Sequence, residues 1–244
     1  MSKNQDMLLV IDCQILQTPA LQRGMGQYLL SLLNALKKEK DKKFEVVLLF
    51  SSLLDEVKSP LATRCMEGFS VVSLPMKTLR QTKNTLSAQE YNKKVLNGWL
   101  DKLEYGRKVF LIGSLFQAEI YPSYPERCVK MAIMYDLAPL QLFSKYSVHM
   151  RWQDYLSRFS LVYDSDKLVC ISKTTADDVA VYLGIKHGRL HTINGGPGEL
   201  AMLESAKGSG YGKFILMPTG NDIRKNNKLA VEAYRDYRER FGDE

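Results

Sequence analysis

A chain of 244 residues with 45% hydrophobic side chains can bury a substantial core, in one large domain or two modest ones. Its 34 basic and 27 acidic residues leave a net charge of +7, which favours anionic partners: nucleic acid, acidic lipid headgroups or small phosphorylated substrates. The longest apolar runs, Met7–Ile11 and Val46–Phe50, are strand-sized and are excluded as bilayer spans.

Met7–Ile11 reads as a strand buried on both faces of a parallel sheet. Asp12 to Gln22 reads as a loop, and Gly26 then introduces a helix with Tyr28, Leu29, Leu32, Leu33 and Leu36 on its sheet-facing stripe. The basic cluster from Lys37 to Lys43 falls where that helix ends and reads as a solvated turn. Phe44–Phe50 is the next strand and completes a β-α-β unit.

Gly68–Leu74 reads as a strand, Lys77–Thr85 as an exposed polar loop, and Ser87–Glu90 as a capping box. The helix that follows would carry Tyr91, Val95, Trp99 and Leu103 on its apolar side. Lys108–Ile112 and Val129–Met134 are two further buried strands, and Tyr146–Val162 has helical spacing. Lys167–Ile171 is a strand that empties into Ser172, and its helix stops at Gly184 with Val179, Ala180 and Leu183 inside. Arg189–Ile193 is the last strand of the set.

The strand–helix rhythm predicts an α/β fold with a doubly wound parallel sheet over residues 1–195. Residues 196–212 read as a linker rich in glycine and small side chains. Residues 213–244 read as the incomplete start of a second α/β domain: a strand at Phe214, a glycine turn, the basic pair Arg224–Lys225 and a helix.

Several groups could carry chemistry. Gly24 and Gly26, beside Arg23, let backbone amides at a helix start face an anion, and they equally suit a plain tight turn. Tyr135 and Asp136 follow the Val129–Met134 strand, where ligands gather in open α/β sheets. Asp136 could accept hydrogen bonds from a hydroxylated substrate or cap the next turn. Ser172 repeats that placement, and Ser172 or Thr174 reads as a helix cap, while Asn194 follows another strand end and equally suits the turn into the linker. Arg224 and Lys225 oppose the macrodipole of their helix unless an anion is bound, which favours a diphosphate site over an idle basic pair.

Cys13, Cys65, Cys128 and Cys170 lack metal-like pairing, and His149, His187 and His191 lack ligand spacing, so neither a metal nor a resident cofactor is expected. Reduced thiols and the absence of a secretory segment at the start point to the cytoplasm, with room for peripheral contact at the inner face of the membrane.

Taken in order, these segments resemble the amino-terminal half of a family 4 glycosyltransferase of the GT-B fold. Ile11–Leu16 with Arg23–Asn34 resembles its first strand, glycine loop and helix, and Met134–Leu140 resembles its His-Asp-Leu-Ile-Pro-Leu segment. Val169–Thr175, Val181–Ile185 and Arg189–Gly195 resemble the landmarks that lead to the interdomain linker.

The resemblance implies a retaining transfer from a nucleotide diphosphate sugar to a saccharide or lipid-linked saccharide acceptor. It places Gly24 and Gly26 near donor phosphates and acceptor, and matches Asp136 to the aspartate of the His-Asp pair and Lys225 to a phosphate-contacting lysine. Tyr135 stands where many relatives have histidine, and Gly220–Asn221 where many have Gly-Arg; Arg224 would restore some of that charge. The glutamate pair of the family has seven residues between its members, whereas Glu232 and Glu239 have six and sit in the wrong helix.

The expected partner is therefore a missing carboxy-terminal donor domain, and the chain alone is expected to be inactive. The rival reading is a non-enzymatic assembly or regulatory subunit. An unpaired second sheet would favour a homodimer, and the dispersed charge argues against nucleic acid.

Overall fold

The computed structural model describes residues 6–146, 150–196, 214–217, 219–220 and 223–242. Its apolar runs form seven strands: β1 (Met7–Asp12), β2 (Phe44–Ser51), β3 (Ser70–Leu74), β4 (Arg107–Ile112), β5 (Val129–Met134), β6 (Lys167–Cys170) and β7 (Leu190–Thr192). They pair in parallel as one sheet in the order β3-β2-β1-β4-β5-β6-β7. The helices are α1 (Gly24–Lys38), α2 (Pro60–Met66), α3 (Thr85–Leu100), α4 (Ala138–Gln141), α5 (Phe143–Tyr146), α6 (Trp152–Ser157), α7 (Phe159–Asp164), α8 (Lys173–Leu183) and α9 (Asn227–Phe241).

Both faces of the sheet are covered, which is why its strands read as continuous apolar runs. On one face Leu29 and Leu33 of α1 and Ala62 and Cys65 of α2 lie with Ile11, Leu48, Leu111 and Ile133. On the other, Leu96 of α3, Tyr155 of α6, Phe159 of α7 and Val179 of α8 lie with Val10, Phe110, Met134 and Leu168. Each fully buried leucine or phenylalanine contributes about 1.5–3 kcal/mol relative to exposure. The winding runs outward in both directions from the β1–β4 junction, so the carboxyl ends of those two strands part there. That is the crevice where ligands of doubly wound sheets bind.

Five expectations are corrected. The cap of α3 is Asn84, whose side chain accepts from the Ser87 amide, so Ser87 lies inside the helix. Its buried line is Ala88, Asn92, Leu96 and Leu100; Tyr91, Val95 and Trp99 sit on the flank. Asn92 reaches the interior because its amide is fully used, accepting from Lys77 N–H at 2.7 Å and donating to the carbonyls of Lys77 and Tyr121, both at 2.9 Å. Those bonds draw the start of the Lys77–Thr85 segment inward, so that Thr78 is fully buried where an exposed loop was expected.

Phe214–Met217, expected as a strand, forms none among the described residues and is exposed. The helical segment expected over Tyr146–Val162 is broken into pieces at Arg151 and Arg158. His149, Asn221 and the linker beyond Gly196 lie outside the described residues.

Candidate functional site

The residues singled out from the sequence gather at the carboxyl edge of the sheet. Helix α1 starts at Gly24 directly over this edge, and its cap, Arg23, is extended (φ −103°, ψ 170°) and makes no side-chain capping bond. The first-turn amides therefore keep the partial positive charge of a helix start. The two glycines differ in their reasons. A Cβ on Gly26 would lie 2.5 Å from the Leu21 Cα and 2.6 Å from the Ala20 carbonyl, so Gly26 is required by packing. Nothing lies within 4 Å of a Cβ built on Gly24, which faces open space.

Tyr135 follows β5 and turns across the β1–β4 junction. Its hydroxyl donates toward the Gly113 carbonyl at 2.9 Å and the Met25 carbonyl at 3.1 Å. Burial raises its pKa far above the ordinary phenol value, so it stays a neutral donor tying α1 to β4. Tyr28 of α1 meets it edge-on at 5.7 Å between ring centroids and donates to the Ile193 carbonyl at 2.7 Å. Gly195 lies against the Tyr28 ring, and Asn194 between them is exposed. The glycine loop, Tyr135 and the end of β7 are thus one constellation.

Ser172 accepts from the Thr175 amide at 3.1 Å as the cap of α8, and the Thr175 hydroxyl donates to the Tyr135 carbonyl at 3.0 Å. Ser172→Ala is expected to lower stability by about 1 kcal/mol, the usual worth of such a cap, in urea denaturation. A variant as stable as the parent would show the cap to be idle.

Asp136 does two things. Its Oδ1 accepts from the Ala138 amide at 3.0 Å, closing the turn that leads into α4, and its Oδ2 lies 3.3 Å from a guanidinium nitrogen of Arg224. The capping alternative is therefore met, and the carboxylate still carries a second contact. Arg224 belongs to a short turn, Ile223–Lys225, ahead of α9. Lys225 is exposed, and Asn226 closes the turn in the left-handed region at φ 46°. The side chain of Asn227 accepts from the Thr219 hydroxyl at 2.9 Å and donates to the Gly220 carbonyl at 3.0 Å, fastening the glycine turn to the helix start.

Sequence reasoning passed over Asp12, the last residue of β1. It is 2% exposed, and its carboxylate accepts from the Gln14 amide at 3.0 Å and from Gln14 Nε2 at 3.0 and 3.1 Å. Burial outweighs these bonds and pushes its pKa up to about 6. The signal was a carboxylate ending the first apolar run, where the chain leaves the sheet at the crevice. Gly113 was also missed: a Cβ there would meet the Asp12 carbonyl at 2.3 Å, so the chain leaving β4 can lie this close to the end of β1 only as a glycine, whose amide donates to that carbonyl at 3.2 Å.

Among the described residues no His, Cys, Asp and Glu group could hold a metal ion, and no helix is long and apolar enough to cross a membrane. No protein-family model and no curated protein matches the sequence. Among solved structures, one similar chain is a glucose-6-phosphate dehydrogenase in complex with its substrate glucose-6-phosphate, 10% identical with a TM-score of 0.31. The match covers 76% of this chain and 41% of that one, and it carries no argument about function.

Proposed function

We propose that the chain is the amino-terminal, acceptor-side part of a retaining glycosyltransferase that moves a sugar from a nucleotide diphosphate sugar to a saccharide or lipid-linked saccharide. The observation that carries this reading is the meeting of Asp136, at the carboxyl edge of the sheet, with Arg224 from the segment ahead of α9. A carboxylate suited to sugar hydroxyls and a guanidinium suited to phosphate stand side by side. The open α1 start, with Gly24 and Arg23, supplies a second donor set for the diphosphate.

In this reading Asp136 orients an acceptor hydroxyl, Arg224 and Lys225 approach the departing diphosphate, and Tyr135 acts as a positioning residue. The same reading assigns residues 213–244 to the beginning of a donor-binding α/β domain. Phe214, Ile215 and Leu216 are 62–74% exposed, and α9 buries no residue although Leu229, Tyr234, Tyr237 and Phe241 lie along it. A further layer of sheet and helix would cover those side chains.

Nuclear magnetic resonance of the chain tests the assignment. Saccharides and nucleotide diphosphate sugars are expected to shift the amide signals of Tyr135, Asp136 and Arg224, while transfer by the chain alone stays at background. Turnover near the ordinary enzymatic range, about 1 s⁻¹ or more, would refute the division between domains. Silence of all three signals toward both ligand classes would refute the sugar-transfer reading.

One observation favours a second reading, a non-enzymatic assembly or regulatory subunit: the Tyr135 hydroxyl is committed to two carbonyls of the fold. That reading predicts a stable complex with a separate glycosyltransferase chain whose activity is unchanged by Asp136→Asn.

A further inference from the structure

Arg224 and Asp136 are opposite in charge, 88 residues apart in sequence, and engaged with each other. The contact joins one guanidinium nitrogen to one carboxylate oxygen at 3.3 Å, with side chains 36% and 52% exposed. A long, single-point, half-exposed ion pair contributes little and is screened by salt. A diphosphate offers the same guanidinium a bidentate, doubly charged partner, the arrangement in which arginine binds most strongly. Once seated, its charge repels the neighbouring carboxylate. Strong use of Arg224 by phosphate and its pairing with Asp136 therefore compete.

We propose that the Arg224–Asp136 pair is an anion-released latch: Arg224 masks the Asp136 carboxylate, and a diphosphate that captures Arg224 uncovers it for a sugar hydroxyl. This inference rests on the diphosphate reading of the site and adds its regulation. The two ligand positions become coupled, since whatever holds Arg224 away from Asp136 frees the carboxylate. The Asp136 bond to the Ala138 amide stays in place throughout, so the uncovered carboxylate remains oriented by the α4 turn. Helix α9, which follows Arg224, buries none of its residues, so the helix can shift without opening a core.

Inorganic pyrophosphate is the probe, titrated at low ionic strength and followed by amide chemical shifts in the parent, Asp136→Asn, Arg224→Gln and the double variant. The asparagine keeps an oxygen for the Ala138 amide, and urea denaturation checks that each variant folds. Asp136→Asn is expected to tighten pyrophosphate about two- to fivefold, the scale of an exposed ion pair. Arg224→Gln is expected to weaken it, and adding Asp136→Asn to that background to tighten it less than in the parent, because only the direct charge repulsion is then relieved.

Equal tightening in both backgrounds would mean simple charge repulsion; the latch is then wrong while the anion site stands. No pyrophosphate binding by the parent or Asp136→Asn would overturn the anion site and the latch together.

Discussion

Arg158→Met is expected to cost about 3–4 kcal/mol of folding stability. The side chain is 2% exposed between α6 and α7 and reaches the segment that follows β4. One guanidinium nitrogen donates to the carbonyls of Leu115 and Gln117 and the other to that of Ile120. Hydrogen bonds from a charged donor contribute about 1.5–3 kcal/mol each, so the three together outweigh the several kcal/mol spent in burying the cation.

Burial lowers the Arg158 pKa to about 10, which leaves it charged at neutral pH. Methionine matches much of the volume but orphans the Leu115 and Ile120 carbonyls in the interior. Arg158→Lys is expected to recover only part, because one ammonium cannot span three carbonyls in the geometry of a planar fork. Urea denaturation gives the difference directly, and a methionine variant within about 0.5 kcal/mol of the parent would sink the account. The clamp begins two residues beyond Gly113, whose carbonyl receives Tyr135, so hydrogen exchange over residues 113–120 is expected to quicken in the same variant.

The sheet was legible because burial on both faces writes each strand as an apolar run; β5 was read to its limits, and β1 and β2 to within one residue. Helix α8 was legible from its ends, with Ser172 as cap and Gly184 at φ 64° as stop. Helix α2 was missed although Ser59 and Pro60 form a cap and first-turn pair, because a seven-residue helix shows too little periodicity. The stripe on α3 was displaced because a buried Asn92 does not count as apolar, and its partners lie up to 29 residues away.

The same limit governs the site. Strand ends placed Tyr135, Asp136, Ser172 and Asn194 at one edge of the sheet. What each side chain does depends on distant neighbours: Tyr135 is fixed by carbonyls 22 and 110 residues away, and Asp136 meets a cation 88 residues away. Asp12 escaped notice because its character comes from burial, which no local pattern states.

That burial sets the second large expectation. In the unfolded chain Asp12 ionises near the ordinary aspartate value, about 4, whereas in the folded chain it holds its proton until about pH 6. Between those values the folded state binds more protons than the unfolded state, so stability falls as pH rises through the window. Below pH 4 both states are protonated and no penalty exists; above pH 6 the full penalty applies, about 3 kcal/mol for a two-unit difference at about 1.4 kcal/mol per unit.

Asp12→Asn removes the ionisation. Its Oδ1 still accepts from the Gln14 amide, and the Gln14 side chain can turn over so that Oε1, buried without a partner, accepts from the new Nδ2. The variant is therefore expected to match the parent near pH 4 and to exceed it by about 3 kcal/mol at pH 7, with the downward slope between pH 4 and 6 abolished. Urea denaturation across that range decides it. A slope that survives the substitution would place the proton elsewhere, and a variant weaker than the parent at pH 7 would show that the Gln14 bonds to the carboxylate outweigh its burial.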